Sequence, residues 1–365
     1  MERIISLVIC LLLMLSLTAM AADSAEKWIP YAKATSVDDS DEEPDAEVDA
    51  DDLFGDGKDD PEPEALVFAG ASVVLYSDLS VNFKVSGILP ESGYSDIYVA
   101  FSFDGKDSVL STYSQADGKL VFNFAGIAPH QLGQTITATL YATLNGQLVE
   151  GETVTYSVSD YCYNMLETCK PENDSEGKYG ELRTLLVDLL HYGAASQLYV
   201  NYNTGSLVNG ALTETQLAWG SAGDPALASA LDVAYATVEA PQASWKSAQL
   251  ALRESVAVRV KIAVSSLEGI TVKVTLGNDT HEISADELIE AGNGVYYVSF
   301  EKLNVAQLRE KIYFTVYRDD APVSNTLCYS VETYAYNNQA NADAKLAELV
   351  KALIRYGDAA FAFVN

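Results

Sequence analysis

The chain is poor in the residues from which most site chemistries are built. Its 365 residues include four Cys and three His, and 22 Lys plus Arg stand against 52 Asp plus Glu. So little cysteine excludes a disulfide-stapled scaffold and leaves stability to a hydrophobic core. Cys162 and Cys169 pair if a turn joins them, leaving Cys328 odd; three buried thiols is the other reading. His130, His191 and His281 stand at no metal-ligand spacing to one another or to Cys, so no metal or cofactor is expected. His130 and His191 read as polar surface positions. A formal net charge of −30 offers no basic patch for nucleic acid and disfavours an anionic membrane surface. A serine-nucleophile elbow, a phosphate-cradling glycine loop and a dinucleotide fingerprint are all missing. Paired carboxylates for glycoside hydrolysis stay open, since an acidic chain offers many. The expectation is a protein that is not an enzyme.

Long apolar runs are scarce too. The single candidate, residues 4–17, follows Glu2 and Arg3 and precedes Ala19-Met20-Ala21, the pattern of a secretory signal peptide over residues 1–21. No membrane span is expected in the mature chain. Residues 22–69 are dominated by Asp, Glu, Pro and Ala. Within them, residues 38–64 hold fifteen acidic residues and one Lys, net −14. Such a composition cannot offset its ordering entropy by burial, so an acidic disordered linker is expected.

What the chain does have is one stretch used twice. Leu182, Leu185, Leu186, Leu189, Leu190 and Gly193 form an apolar stripe at helical spacing, and Leu346, Leu349, Val350, Leu353, Ile354 and Gly357 repeat it. Glycine in a helix interior costs about 1 kcal/mol against alanine. Because helix-compatible residues continue past both glycines, they read as close-packing positions rather than C-caps.

Upstream of each copy, apolar and polar residues alternate with the period of half-buried strands, as in Leu79-Val81-Phe83-Val85 and Val256-Val258-Val260-Ile262. Asn145-Gly146 between two such runs marks a hairpin. Tyr156-Ser157-Val158, with Tyr161, Tyr163 and Asn164, returns as Tyr329-Ser330-Val331 with Tyr334, Tyr336 and Asn337. A whole module is therefore duplicated. The fold class is accordingly α+β: two tandem β-sandwich-like, Ig-like modules at 70–201 and 241–365, each followed by a short helix and a long amphipathic helix. A Gly/Ala/Ser-rich connector, 202–240, joins them, and a cut there is expected to leave two folded pieces.

The tyrosines carry two readings. An aromatic-plus-amide surface made by Tyr161, Tyr163, Asn164, Tyr334, Tyr336 and Asn337 suits sugar stacking or partner docking. Equally, a Tyr-x4-Tyr-x-Tyr run at a strand-to-helix junction pins helices onto a sheet. Trp219, in a Gly-flanked connector, is the tryptophan best placed to be an exposed ring.

The signature Tyr-Ser-Val-x-x-Tyr-x-Tyr, followed by Leu-x-x-Leu-(Leu/Val)-x-x-Leu-(Leu/Ile)-x-Tyr-Gly-x-Ala, resembles a module of secreted and cell-surface proteins of Gram-positive anaerobic bacteria. Residues 202–209 resemble the segment after the helix in those proteins. The resemblance implies an extracellular modular protein and brings no catalytic or ligand residues. The function expected is a secreted or cell-surface, non-catalytic binding or adhesion protein, with an extracellular glycan or an envelope protein as partner. The alternatives are a structural spacer or envelope component and a carbohydrate-active enzyme.

Overall fold

Alternating burial builds four antiparallel sheets, and the chain builds them in the same order twice. The computed structural model describes residues 65–75, 79–86, 93–116, 118–229, 237–252 and 256–365. The expected signal peptide and most of the acidic linker lie outside these residues. The first half runs β1 (Val67–Val74), β2 (Ser80–Ser86), β3 (Tyr94–Phe103), β4 (Lys106–Leu110), β5 (Ser114–Ala116), β6 (Lys119–Ala125), β7 (Ile136–Leu144) and β8 (Gln147–Tyr156). Two helices follow, α1 (Val158–Thr168) and α2 (Gly180–Val200), then the single-turn α3 (Glu214–Leu217). The second half runs β9 (Ala243–Leu252), β10 (Val256–Val264), β11 (Ile270–Leu276), β12 (Asp279–Ser284), β13 (Ile289–Gly292), β14 (Val295–Phe300), β15 (Ile312–Arg318), β16 (Ala321–Pro322) and β17 (Leu327–Tyr329). It closes with α4 (Val331–Asn338) and α5 (Ala344–Val364).

Sheet orders β1-β2-β6-β5 and β4-β3-β7-β8 in the first half recur as β9-β10-β14-β13 and β12-β11-β15-β16, with β17 also pairing β15. In each half the two sheets face each other across aromatic rings. Phe83 on β2 lies 5.3 Å from Phe101 on β3, and Phe300 on β14 lies 6.4 Å from Phe314 on β15. The fold is thus a β-rich α+β fold. β1 starts at Val67, inside the stretch expected as linker. Asn145 and Gly146 take φ 53° and 76°, the left-handed pair that matches a two-residue turn to strand twist.

The Tyr-Ser-Val motif has a local cause. Ser157 and Ser330 cap α1 and α4, their hydroxyls accepting from the Asp160 and Thr333 amides at 3.0 and 2.9 Å. Val158 and Val331 then turn into the core. Backbone bonds from Ser159 to the Leu132 carbonyl, and from Glu332 to that of Leu308, tie each short helix to a 3-10 turn of its own half. All three described cysteines are buried free thiols, which settles the pairing left open by the sequence.

The two long helices pack on each other. Tyr192 of α2 and Tyr356 of α5 stack at 5.7 Å between ring centroids, both buried. The Tyr356 hydroxyl donates to the Leu75 carbonyl at the end of β1, in the other half of the chain. α2 is therefore not the one-sided amphipathic helix expected: from Leu182 to Gln197 it is buried on nearly every face, with Val187, Asp188, Ala195 and Ser196 covered as well. It ends on Asn201, in the left-handed region at φ 57°, so the glycine is not its cap. A Cβ on Gly193 would meet Leu132 Cδ1 at 2.5 Å and Val208 Cγ1 at 2.9 Å; one on Gly357 would meet Leu308 Cδ1 at 2.7 Å. Both are close-packing positions against equivalent leucines.

The substitutions Gly193→Ala and Gly357→Ala weigh a helix-propensity gain of about 1 kcal/mol against overpacking that costs about 1–3 kcal/mol. Gly193, with two atoms under 3.0 Å, should lose more. Urea unfolding should show Gly193→Ala destabilised by about 1 kcal/mol or more; a stabilised variant would contradict the close packing.

Candidate functional site

The connector begins at one half's surface and ends at the other's. Gln197, buried near the end of α2, accepts from the Val208 amide at 2.8 Å and donates to the Ser206 carbonyl at 3.2 Å. Tyr163 on α1 reaches up to donate to the Val208 carbonyl at 2.8 Å and accepts from the Ala211 amide at 3.3 Å. Asp188, buried in α2, then takes the Ser221 amide at 3.1 Å and its hydroxyl at 2.6 Å. Lys351 of α5 holds Asp224 at 2.7 Å, and Arg355 donates to the Gly223 carbonyl at 3.2 Å. Finally Ala226 and Ala228 bond Arg309 and Glu332 of the second half. The segment 202–229 is a strap over the helix pair.

Under the start of that strap lies a cavity of about 230 Å³. Gly133, Ser159, Tyr163, Gln197, His130, Tyr202 and Gln134 are among the residues that line it. The Tyr202 hydroxyl is fixed from both sides: it donates to Asp104 at 3.0 Å and accepts from Gln134 at 2.5 Å. The His130 ring meets the Tyr202 ring edge to face at 4.9 Å. Burial, then the neighbouring Asp104 carboxylate, holds the Tyr202 phenol above its ordinary pKa, and burial does the same for Tyr163. Both hydroxyls stay neutral; the proton of each is held by Asp104 or the Val208 carbonyl, which leaves each one acceptor lone pair. The lining offers hydroxyls, amides and ring faces.

The second half fills the same place. Arg309 stands where the first half has Gly133, Glu332 where it has Ser159, and Asp358 where it has Ala194. Arg309 grips Asp358 with two bonds, at 2.5 and 2.7 Å, and also pairs with Glu332. An ion-pair cluster thus replaces a cavity at equivalent positions of one module.

The sequence-derived residues are spread out. Tyr163 lines the cavity. Tyr161 is half-buried near Cys162 and Cys169, and burial raises its pKa. Asn164 is exposed on α1. Tyr334 is half-buried, close to Tyr199 of α2; Tyr336 and Asn337 are exposed on α4. Trp219 lies apart from the cavity, half-buried beneath the Arg183 guanidinium at 5.7 Å, with its carbonyl bonded by Thr184. His191 is no plain surface position: it is half-buried, with Nδ1 against Asn209 at 3.0 Å, and burial lowers its pKa. The residues that sequence reasoning missed are Gly133, Gln134, Gln197 and Tyr202. The mismatch Gly133/Arg309 between repeats was the signal that could have found them.

No family model matches the chain, and no curated protein matches it. One solved structure, reported in a study of host cell surface retention of a 1.5-MDa bacterial ice-binding adhesin, is similar over 73% of this chain at 9% identity and a TM-score of 0.17. The chain spans 64% of the length of that one. A likeness at that score carries no argument about this protein. Among the described residues, no helix is long and apolar enough to cross a membrane.

Asp188 gives the strap a pH signature. Burial holds its carboxyl above the usual carboxylate range, opposed by the Ser221 bonds and by His191 and Arg355. The unfolded group ionises near about 3.9, so above that pH the native state binds more protons and stability falls as pH rises through the window. Asp188→Asn keeps an acceptor for Ser221 and removes this slope. Urea midpoints should move in the variant's favour between about pH 4 and pH 7; a constant difference would contradict the assignment.

Proposed function

We propose that the chain is a secreted or cell-surface protein that binds the end of a neutral extracellular glycan without transforming it, through the cavity of the first half. The observation that carries this reading is the cavity's lining: neutral hydroxyls, three amide side chains and ring faces, with Gln134 and Gln197 bonded to the strap. Sugars are recognised by such groups, with the apolar face of a ring stacked and the hydroxyls paired. The volume of about 230 Å³ is below the roughly 300–1,000 Å³ of drug-sized sites, which suits a single terminal residue. Glycoside hydrolysis uses two carboxyls flanking the bond, whereas this lining presents amides and hydroxyls. The signal-peptide pattern and the resemblance to extracellular modules support the location. Two facing antiparallel sheets per half, four- and four-stranded in the first and four- and five-stranded in the second, support the Ig-like sandwich reading of each module.

The ion-pair cluster at Arg309 favours a different task for the second half, as the structural partner that completes the helix pair. The repeat's own divergence supplies the test. Gly133→Arg with Ser159→Glu transplants the second half's pair into the cavity; a Cβ at Gly133 meets nothing closer than 3.8 Å. On an array of neutral glycans the full mature chain should bind, and the double variant, with its melting temperature kept, should lose binding at least tenfold. Unchanged binding in a folded variant would sink the cavity as the site.

A further inference from the structure

The outer face of the sheet β13-β14-β10-β9 concentrates positive charge on a chain of net charge −30. Alternation in β10 sends Val258, Val260 and Ile262 inward and leaves Arg259 and Lys261 outside. Across the ladder, β14 presents Tyr297 and Ser299 on that same face. The Arg259 guanidinium lies 5.6 Å and the Lys261 ammonium 4.8 Å from the Tyr297 ring centroid, so one ring holds two cations. Arg259 Nε also donates to Ser299 Oγ at 3.1 Å. A bulge in the pairing with β9 inserts Lys246, exposed, beside Lys261. Ile289, paired with Tyr297 from β13, is 59% exposed. Among the described residues these three cations form no ion pair, whereas Lys273, Arg309, Lys351 and Arg355 each have a carboxylate. At the equivalent place the first half carries Asn82 and Asn123, joined by an amide hydrogen bond of 2.8 Å. The first half also keeps one cation there, Lys84, opposite Val121; the pairing of two cations on one tyrosine ring is found in the second half.

We propose that the chain's own acidic stretch, residues 38–64, docks on this face. The two are complementary in charge: net −14 in the stretch against three cations with no ion pair among the described residues. They are also joined, because the stretch leads into β1 at Val67. Fully extended, residues 38–64 span about 90 Å, several times the radius of gyration of about 19 Å for a compact chain of this size. The stretch can therefore reach any face. Tethering raises its local concentration to the millimolar range, so weak contacts suffice. With a Debye length of about 8 Å at physiological salt, the contact is reversible and salt-sensitive. The face is then covered until salt or a stronger polyanion displaces the stretch. This inference is independent of the glycan reading.

The test places a nitroxide on Ala46→Cys in the mature full chain, where the native thiols are buried, and reads the backbone amides of the isotope-labelled protein. At low salt the amides of Arg259, Lys261 and Tyr297 should broaden several-fold more than those of Asn82 and Asn123. The excess should vanish in about 0.5 M salt and in R259Q/K261Q, with Lys246→Gln giving a partial loss. Absence of selective broadening, or its persistence in the folded double variant, overturns the proposal. Polygalacturonate supplies the last arm. If it binds the face equally well whether or not the acids of residues 38–64 are changed to amides, the occupant is an external polyanion and the proposal fails.

Discussion

The stack of Tyr192 on Tyr356 is the contact on which the rest of the structure depends. It sits where the two copies of the duplicated helix cross, and each helix gives the other half something to bury. Tyr356 completes its hydrogen bond on Leu75, across the chain, so the second helix contributes to the first half's core. Each large apolar side chain re-exposed by separating the halves would cost about 1.5–3 kcal/mol. A handful of them equals the roughly 5–15 kcal/mol that holds a whole domain. Duplication here produced one shared core, not two beads on a string.

That coupling explains how the copies could diverge. The glycines at 193 and 357 keep the same close approach to Leu132 and Leu308 in both halves. A few positions away, one half holds a cavity and the other an arginine clamped by two carboxylates. The strap ties these places together, leaving Tyr163 and Gln197 in one half and arriving on Arg309 and Glu332 in the other. Its fixed middle is Ser221 on buried Asp188. A change in either half can thus be felt along the strap, because its anchors on Gln197, Asp188, Lys351 and Glu332 are hydrogen bonds or ion pairs to helices.

Much of the framework was legible in the residues themselves. Period-two alternation marked the strands at Val81-Phe83-Val85 and Val258-Val260-Ile262, and Asn145-Gly146 marked its turn. The glycines were readable as packing positions because helix formers continue beyond them. The pairing of the helices was not legible, since an apolar stripe says that a face is buried and not against what. Reading each helix as packed on its own sheet led to the expectation of two independent pieces. The cavity was hidden for a related reason: its lining includes Gly133 and Ser159, whose smallness matters only beside a strap brought there by tertiary folding. His191 likewise looks polar and exposed in sequence, but lies half-buried against Asn209.

The shared core is tested most directly by cutting the strap's far end and producing residues 22–229 and 237–365 as separate chains. The account predicts that neither shows a cooperative thermal transition by circular dichroism alone, and that mixing them restores one at a one-to-one ratio. If either fragment by itself melts cooperatively at the temperature of the intact chain, the halves are independent domains and the central role given to Tyr192 and Tyr356 is wrong.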